Sequence, residues 1–278
     1  MTELLSGRVS YGVGGRAILD RVDVGIREGE SVAIVGTNGA GKTTLLRLLA
    51  NVLAPSRGGL SLRGIPYSEL SARKLAGSLA YVPQVRPARV PLAVRDVVLL
   101  GRYPHKRSWS FGYEAADFEA ATRALEVVGS ADLAARDMSE LSGGERQGVY
   151  IAAALAQEAE CLILDEPTTY LDPGHQRRIA HLLERLIRQD GRTLVFASHD
   201  LNLAFALADR VIALEAGKVV AAGPTAEMLV TPLLEQLYGA PFHVSHPSGH
   251  PVVSVDLSTQ PVSGQSGTPS GTPGEEAP

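Results

Sequence analysis

Three short apolar runs limit the fold more than any other feature of the chain. They are Ser31-Val32-Ala33-Ile34-Val35, Cys161-Leu162-Ile163-Leu164 and Thr193-Leu194-Val195-Phe196-Ala197. A strand with one face in water alternates apolar and polar residues. A run without that alternation suits a strand covered on both faces, as in parallel sheets. Segments with helical spacing lie between the runs. From Lys42 to Leu53 the apolar residues are Leu45, Leu46, Leu48, Leu49, Val52 and Leu53, and residues 175–189 read as a further helix. Strand, helix, strand, helix, strand predicts an α/β fold on a mainly parallel sheet. The N-terminal part differs. Val9-Ser10-Tyr11, Ala17-Ile18-Leu19 and Val22-Asp23-Val24 are strand pieces punctuated by Gly12, Gly14 and Gly15, which predicts an antiparallel β subdomain. Val211–Leu214 and Lys218–Ala221 flank Glu215-Ala216-Gly217 as a second hairpin. Residues 87–157 read as mainly helical, an inserted subdomain. The folded domain is expected over 1–256. Residues 257–278 are Ser, Thr, Gly, Pro, Gln and Glu, which bury little apolar area and predict a disordered tail.

With 45% hydrophobic and 20% charged residues the chain can bury a core, and its net charge of -4 offers no basic excess for nucleic acid as a main partner. The single cysteine excludes an internal disulfide and fits a reducing compartment; inside its apolar run, Cys161 reads as a buried, inert thiol. No stretch approaches the ~20 apolar residues of a membrane span. Met1-Thr2-Glu3-Leu4-Leu5 does not have the form of a signal peptide. The expectation is a soluble cytoplasmic protein whose membrane role, if any, runs through a partner.

The first apolar run ends in Gly36-Thr37-Asn38-Gly39-Ala40-Gly41-Lys42-Thr43, the pattern G-x-x-x-x-G-K-[S/T] between strand and helix. Glycines let successive backbone N–H groups turn inward onto phosphate oxygens, and the helix that follows points its positive end at the same anion. Gly36, Asn38, Gly39, Gly41, Lys42, Thr43 and Thr44 are therefore expected to hold a nucleotide. Lys42 would reach the β- and γ-phosphates, and the Thr43 hydroxyl would ligate Mg²⁺. The second run ends in Asp165-Glu166, and in open α/β sheets the carboxyl ends of strands carry the ligand site. Asp165 is placed to hold Mg²⁺, and Glu166 to polarise a water for attack on the γ-phosphate. Upstream, Ser142 and Glu145 in Leu141-Ser142-Gly143-Gly144-Glu145-Arg146-Gln147 form a capping box. Paired glycines cost backbone entropy and suit a place where a ligand approaches the main chain. Ser142, Gly143 and Gly144 thus read as a second phosphate contact.

Phosphate loop, Leu-Ser-Gly-Gly-Glu-Arg-Gln, Leu-Ile-Leu-Asp-Glu-Pro-Thr and Ala-Ser-His-Asp occur in that order. The chain resembles the ATP-binding subunits of ABC transporters over about residues 5–245. The resemblance implies a P-loop NTPase core, ATP and Mg²⁺ as ligands, and a head-to-tail dimer in which Ser142, Gly143 and Gly144 contact ATP held by the other subunit. It implies that Tyr11 stacks on adenine, that Gln84 meets Mg²⁺ and the attacking water, that Asp172 lies in a loop crossing to the partner, and that His199 contacts the γ-phosphate. It makes Glu166, His199 and Gln84 the catalytic group and Thr43, Gln84 and Asp165 the metal group. Gly148 and Ala153 depart from it, because many relatives carry Arg there.

A soluble family member acting on DNA or ribosomes usually carries long inserts or two fused halves, which this chain lacks. A P-loop kinase or switch GTPase would not need the Leu-Ser-Gly-Gly-Glu segment. Val98-Leu99-Leu100-Gly101-Arg102-Tyr103-Pro104-His105 and Leu171-Asp172-Pro173-Gly174-His175-Gln176 resemble the iron-siderophore, haem and cobalamin importers. That branch implies permease subunits, an indirect link to a substrate-binding protein, and a place on the cytoplasmic face of the membrane. Arg102, His105, Lys106, Arg107, Trp109 and Phe111 form a basic and aromatic cluster, and a permease helix is expected to dock between residues 84 and 112. His243, His246 and His250 have no acidic or Cys companion at ligand spacing and read as solvated.

Overall fold

The computed structural model describes residues 2–84, 91–106, 112–245 and 251–256. The expected tail at 257–278 lies outside them, as do Arg107, Trp109, Phe111, His246 and His250.

The chain opens with β1 (Glu3–Val13), β2 (Arg16–Arg27) and β3 (Ser31–Val35), then α1 (Lys42–Leu49), β4 (Arg57–Leu62), β5 (Ile65–Pro66), α2 (Ala72–Ser78) and β6 (Leu79–Val82). Three helices follow, α3 (Val94–Leu100), α4 (Ala115–Val127) and α5 (Gly143–Ala156). Then come β7 (Cys161–Asp165), α6 (Pro173–Arg188), β8 (Thr193–Ala197), α7 (Leu201–Leu207), β9 (Arg210–Glu215) and β10 (Lys218–Pro224). The described chain closes with α8 (Thr225–Met228), α9 (Thr231–Tyr238), β11 (Phe242–Ser245) and β12 (Val252–Val255).

The three apolar runs become β3, β8 and β7, neighbours in a sheet of order β10-β9-β3-β8-β7-β6. All its pairings are parallel except that of the edge strand β10 with β9. Both faces are covered, as the missing alternation requires. Val32, Ile34, Cys161, Ile163, Val195 and Ala197 face a core shared with α1 and the N-terminal sheet. Ala33, Val35, Leu162, Leu164, Leu194 and Phe196 face a second core built with helices α3 to α7. Cys161 is fully buried, and burial pushes its thiol up to about 12, so it is inert as expected.

The N-terminal sheet has the order β2-β1-β4-β5 and is antiparallel. The two pieces expected at 17–24 join into one strand across a register irregularity opposite Val9–Tyr11, and Arg21 absorbs it at φ 50°. Helix α1 stops at Leu49 rather than Leu53, because Asn51 turns left-handed at φ 55°. Helix α5 runs unbroken through Gly148, which is buried beside Ser130.

Arg102 itself does not belong to the docking face expected between residues 84 and 112. Its side chain is 7% exposed, with Nε on Asp117 (3.0 Å) and Nη1 on the Ala156 carbonyl (2.6 Å) and Glu158 (2.7 Å). It clamps the start of α4 to the end of α5. His105 stays exposed, with Nε2 2.9 Å from the Gln157 carbonyl. An arginine so placed satisfies buried acceptors and presents nothing to a partner. His243 is exposed, as its reading as a solvated residue expects, on β11 opposite Ser254 of β12.

Candidate functional site

Strand β3 delivers the loop 36–41 to the start of α1, and β7 and β8 end beside it. Gly41 sits at φ 105°, and a Cβ there would stand 2.6 Å from Leu19 Cδ2, so only glycine lets β2 and the loop close together. The same contact places Tyr11, which pairs with Leu19, next to the loop, on the wall of a pocket shared with Gly12, Arg16, Ser56 and Arg57. Asn38 and Gly39 are exposed at the tip, and Thr44 is half-buried on α1. Lys42 is buried, with Nζ donating to the carbonyls of Gly36 (2.8 Å) and Thr37 (3.1 Å). Burial lowers its ammonium from the ordinary lysine range, while Glu166 and Asp165 oppose that shift.

The end of β7 supplies the carboxylates. Asp165 is 1% exposed and accepts from the hydroxyls of Thr43 (3.0 Å) and Tyr81 (3.2 Å). Burial dominates and raises its carboxyl above the usual range, with Glu166 adding to the rise against those two hydrogen bonds. Glu166 takes the left-handed conformation at φ 49° while its N–H still donates to the Ala197 carbonyl (3.1 Å). One oxygen, Oε2, accepts from Gln84 Nε2 (2.7 Å) and Thr169 Oγ1 (3.1 Å), and His199 Nδ1 lies 3.4 Å from it. Three elements far apart in sequence, those ending in Gln84, Glu166 and His199, thus converge on one carboxylate.

Oxygen donors suit a hard divalent cation, and Thr43 and Asp165 place theirs in contact beside Gln84. Among the described residues no group of three or more His, Cys, Asp or Glu could hold a metal alone. The donor set and the loop therefore suit a Mg²⁺–nucleotide pair.

Ser142, Gly143, Gly144 and Asp172 stand apart from this cluster. Ser142 caps α5, its hydroxyl accepting from Glu145 N–H (3.3 Å) while Glu145 Oε2 accepts from Ser142 N–H (2.8 Å), the expected capping box. Asp172 caps α6 through the N–H groups of Gly174 (2.9 Å) and His175 (3.0 Å). Ser142, Gly144 and His175 line a groove of about 440 Å³ in which no phosphate-loop residue takes part. The two glycines differ in their reason. A Cβ at Gly143 would meet open space, which fits a close ligand. A Cβ at Gly144 would stand 1.9 Å from His175 Cδ2, so its glycine accommodates a side chain of the same chain.

Sequence reasoning passed over several contributors. Tyr81 and Thr169 lie within three residues of expected site residues, and their hydroxyls were the available signal. Tyr238 carried no signal: its hydroxyl accepts from the Gly36 N–H (3.1 Å) across most of the chain. Asn202 also went unread. Its amide pairs both ways with the backbone of Val253 (3.1 and 2.7 Å), tying β12 to the helix that follows His199.

Comparison with known proteins bears on this geometry. The family model described as ABC transporter matches residues 19–169. The hemin import ATP-binding protein of Streptomyces coelicolor is 43% identical over 244 residues, 87% of this chain and 85% of that protein. The iron(3+)-hydroxamate import ATP-binding protein of Bacillus subtilis is 37% identical over 239 residues, 86% of this chain and 88% of that protein. A solved chain from an inward-facing ABC transporter of metal-chelate type superposes with a TM-score of 0.80 at 27% identity, covering 93% of this chain and 99% of that one.

Proposed function

The chain belongs to the ABC transporter family, and from that premise we propose that it is the ATP-hydrolysing subunit of an importer for an iron chelate, siderophore or haem. It works as a head-to-tail pair on separate permease subunits at the cytoplasmic face of the membrane, with a substrate-binding protein upstream. The observation that carries this reading is the Glu166 carboxylate, held by Gln84 and Thr169 with His199 alongside, next to a phosphate loop whose Thr43 touches Asp165. Among the described residues no helix is long and apolar enough to cross a membrane. The chelate binds elsewhere, and the names of the relatives favour an iron chelate over cobalamin.

Lys42 exchanges its two loop carbonyls for phosphate oxygens, an exchange open to a buried ammonium that has no ion-pair partner at bonding distance among the described residues. Tyr11 offers its ring to the base. Thr43, Asp165 and Gln84 would hold Mg²⁺, which would supply positive charge to neutralise the nucleotide's phosphates. Glu166 orients and polarises the attacking water; Gln84, Thr169 and His199 fix the carboxylate so that little reorganisation is needed as charge develops. Ser142 and Gly143 of one subunit complete the phosphate site of the other, with Asp172 in the adjoining loop.

The test separates binding from chemistry. Glu166→Gln is expected to abolish turnover while ATP still binds, and trapped ATP should hold two subunits together. Lys42→Ala is expected to weaken nucleotide binding itself, since it removes a ground-state phosphate contact. Full hydrolysis by Glu166→Gln would overturn the assignment.

A further inference from the structure

Two exposed segments face away from the phosphate loop's own cluster: the start of α5 at Ser142-Gly143 and the start of α6 at Asp172. One side chain joins them. His175 donates its backbone N–H to Asp172 Oδ1 (3.0 Å), and its ring Nδ1 lies 2.5 Å from Asp172 Oδ2. Both carboxylate oxygens are thereby occupied, and the ring is fixed in direction. The other side of the ring lies against Gly144, so close that a Cβ there would stand 1.9 Å from Cδ2, 2.2 Å from Cγ and 2.7 Å from Cβ of His175. Backbone and ring meet without the slack that a flexible side chain would leave. Gly144 itself is buried, whereas Ser142, Gly143 and Asp172 are exposed.

We propose that His175 is a positioning residue that locks the Ser142-Gly143 segment to the Asp172 loop, so that both meet the partner subunit's nucleotide as one rigid piece. The proposal rests on the reading above that these segments complete the partner's site. It gives the motif Leu171-Asp172-Pro173-Gly174-His175 a mechanical role. Asp172 holds the ring, the ring sets the height of Gly144, and Gly144 sets where Ser142 Oγ and the Gly143 N–H stand. A misplacement of this order outside the chemistry can reduce turnover by about 100-fold.

The experiment places His175→Ala, His175→Asn, Gly144→Ala and the double variant Gly144→Ala/His175→Ala in the Glu166→Gln background, with ATP and Mg²⁺ as the probe. Dimerisation is followed by analytical ultracentrifugation, and the same variants in the native background report kcat and KM. Gly144→Ala is expected to weaken ATP-dependent dimerisation by about tenfold or more, and the double variant is expected to be no worse than the more impaired single variant, because both substitutions break one contact. His175→Ala is expected to lower kcat while nucleotide affinity of the dilute single subunit stays unchanged, because the phosphate loop is untouched. His175→Asn, which can still donate to Asp172, should recover part of the loss. A double variant whose loss equals the two single losses combined would overturn the proposal. So would a His175→Ala variant that dimerises and turns over normally, or one whose loss lies wholly in nucleotide affinity. If the Glu166→Gln control itself stays monomeric in ATP, the composite-site reading falls and this proposal with it; if the control dimerises and the variants match it, this proposal alone falls.

Discussion

Asp165 and Glu166 are adjacent carboxylates with opposite surroundings. Asp165 is enclosed, and burial raises its carboxyl above the usual range, whereas Glu166 turns out of the strand and accepts several donors on one oxygen. A carboxyl whose folded pKa lies above its unfolded value favours the native state only while protonated. At neutral pH the charged Asp165 therefore works against folding, a cost that the proposed cation site would explain. Asp165→Asn is accordingly expected to raise the melting temperature of the nucleotide-free protein. It should also lose most Mg²⁺-dependent hydrolysis, because the cation supplies several kcal/mol of transition-state stabilisation. Thermal unfolding and ATPase assays on one preparation check both halves. A variant less stable than wild type would show that the carboxylate's hydrogen bonds to Thr43 and Tyr81 outweigh its burial.

At the scale of elements, Arg102 joins α3, α4 and α5. Burial works to raise the Asp117 carboxyl, but the Glu114 N–H and the Arg102 guanidinium overcome it and hold it below the usual range. A depressed folded pKa gives stability that is present above the unfolded value, about 4, and lost as pH falls through the folded one. Arg102→Ala leaves Asp117 and the Ala156 carbonyl without this partner and is expected to destabilise by about 3 kcal/mol. The gap between variant and wild type should narrow as pH falls below about 4, which urea unfolding over that range measures. A gap independent of pH would mean that lost packing of the arginine stem dominates. Arg102 is thus unsuited to a docking test, since its replacement loosens the helical layer first.

For the whole molecule, the phosphate-loop cluster and the Ser142 groove are separate within one chain, which is the arrangement a head-to-tail pair would complete twice. A dimer of one Lys42→Ala subunit with one Ser142→Arg subunit keeps one composite site intact and concentrates both lesions in the other. Residual hydrolysis is expected in the mixture, up to about half the wild-type rate if the sites act independently, and not in either pure variant. Normal turnover by Ser142→Arg alone would show that each chain carries a complete site.

Local chemistry made much of this legible in the sequence. The apolar runs at 31–35, 161–164 and 193–197 specify a sheet buried on both faces, because no other strand arrangement tolerates them. The glycines and Lys42 declare a phosphate loop, and Ser142 with Glu145 declares a helix start, because these depend on neighbours a few residues apart. Gln84 and His199 were reached only through family resemblance. Long-range approach decided the rest. Gln84, Thr169 and His199 share Glu166 only because β6, β7 and β8 end side by side. Tyr238 reaches Gly36 only because α9 folds back over the sheet's end. Arg102 read as a surface cation until Asp117 and Glu158 enclosed it. Gly144 read as an opening for a ligand until the His175 ring filled that space. A residue type states what it can bond, but which partner stands within about 3 Å depends on packing between segments far apart in the chain.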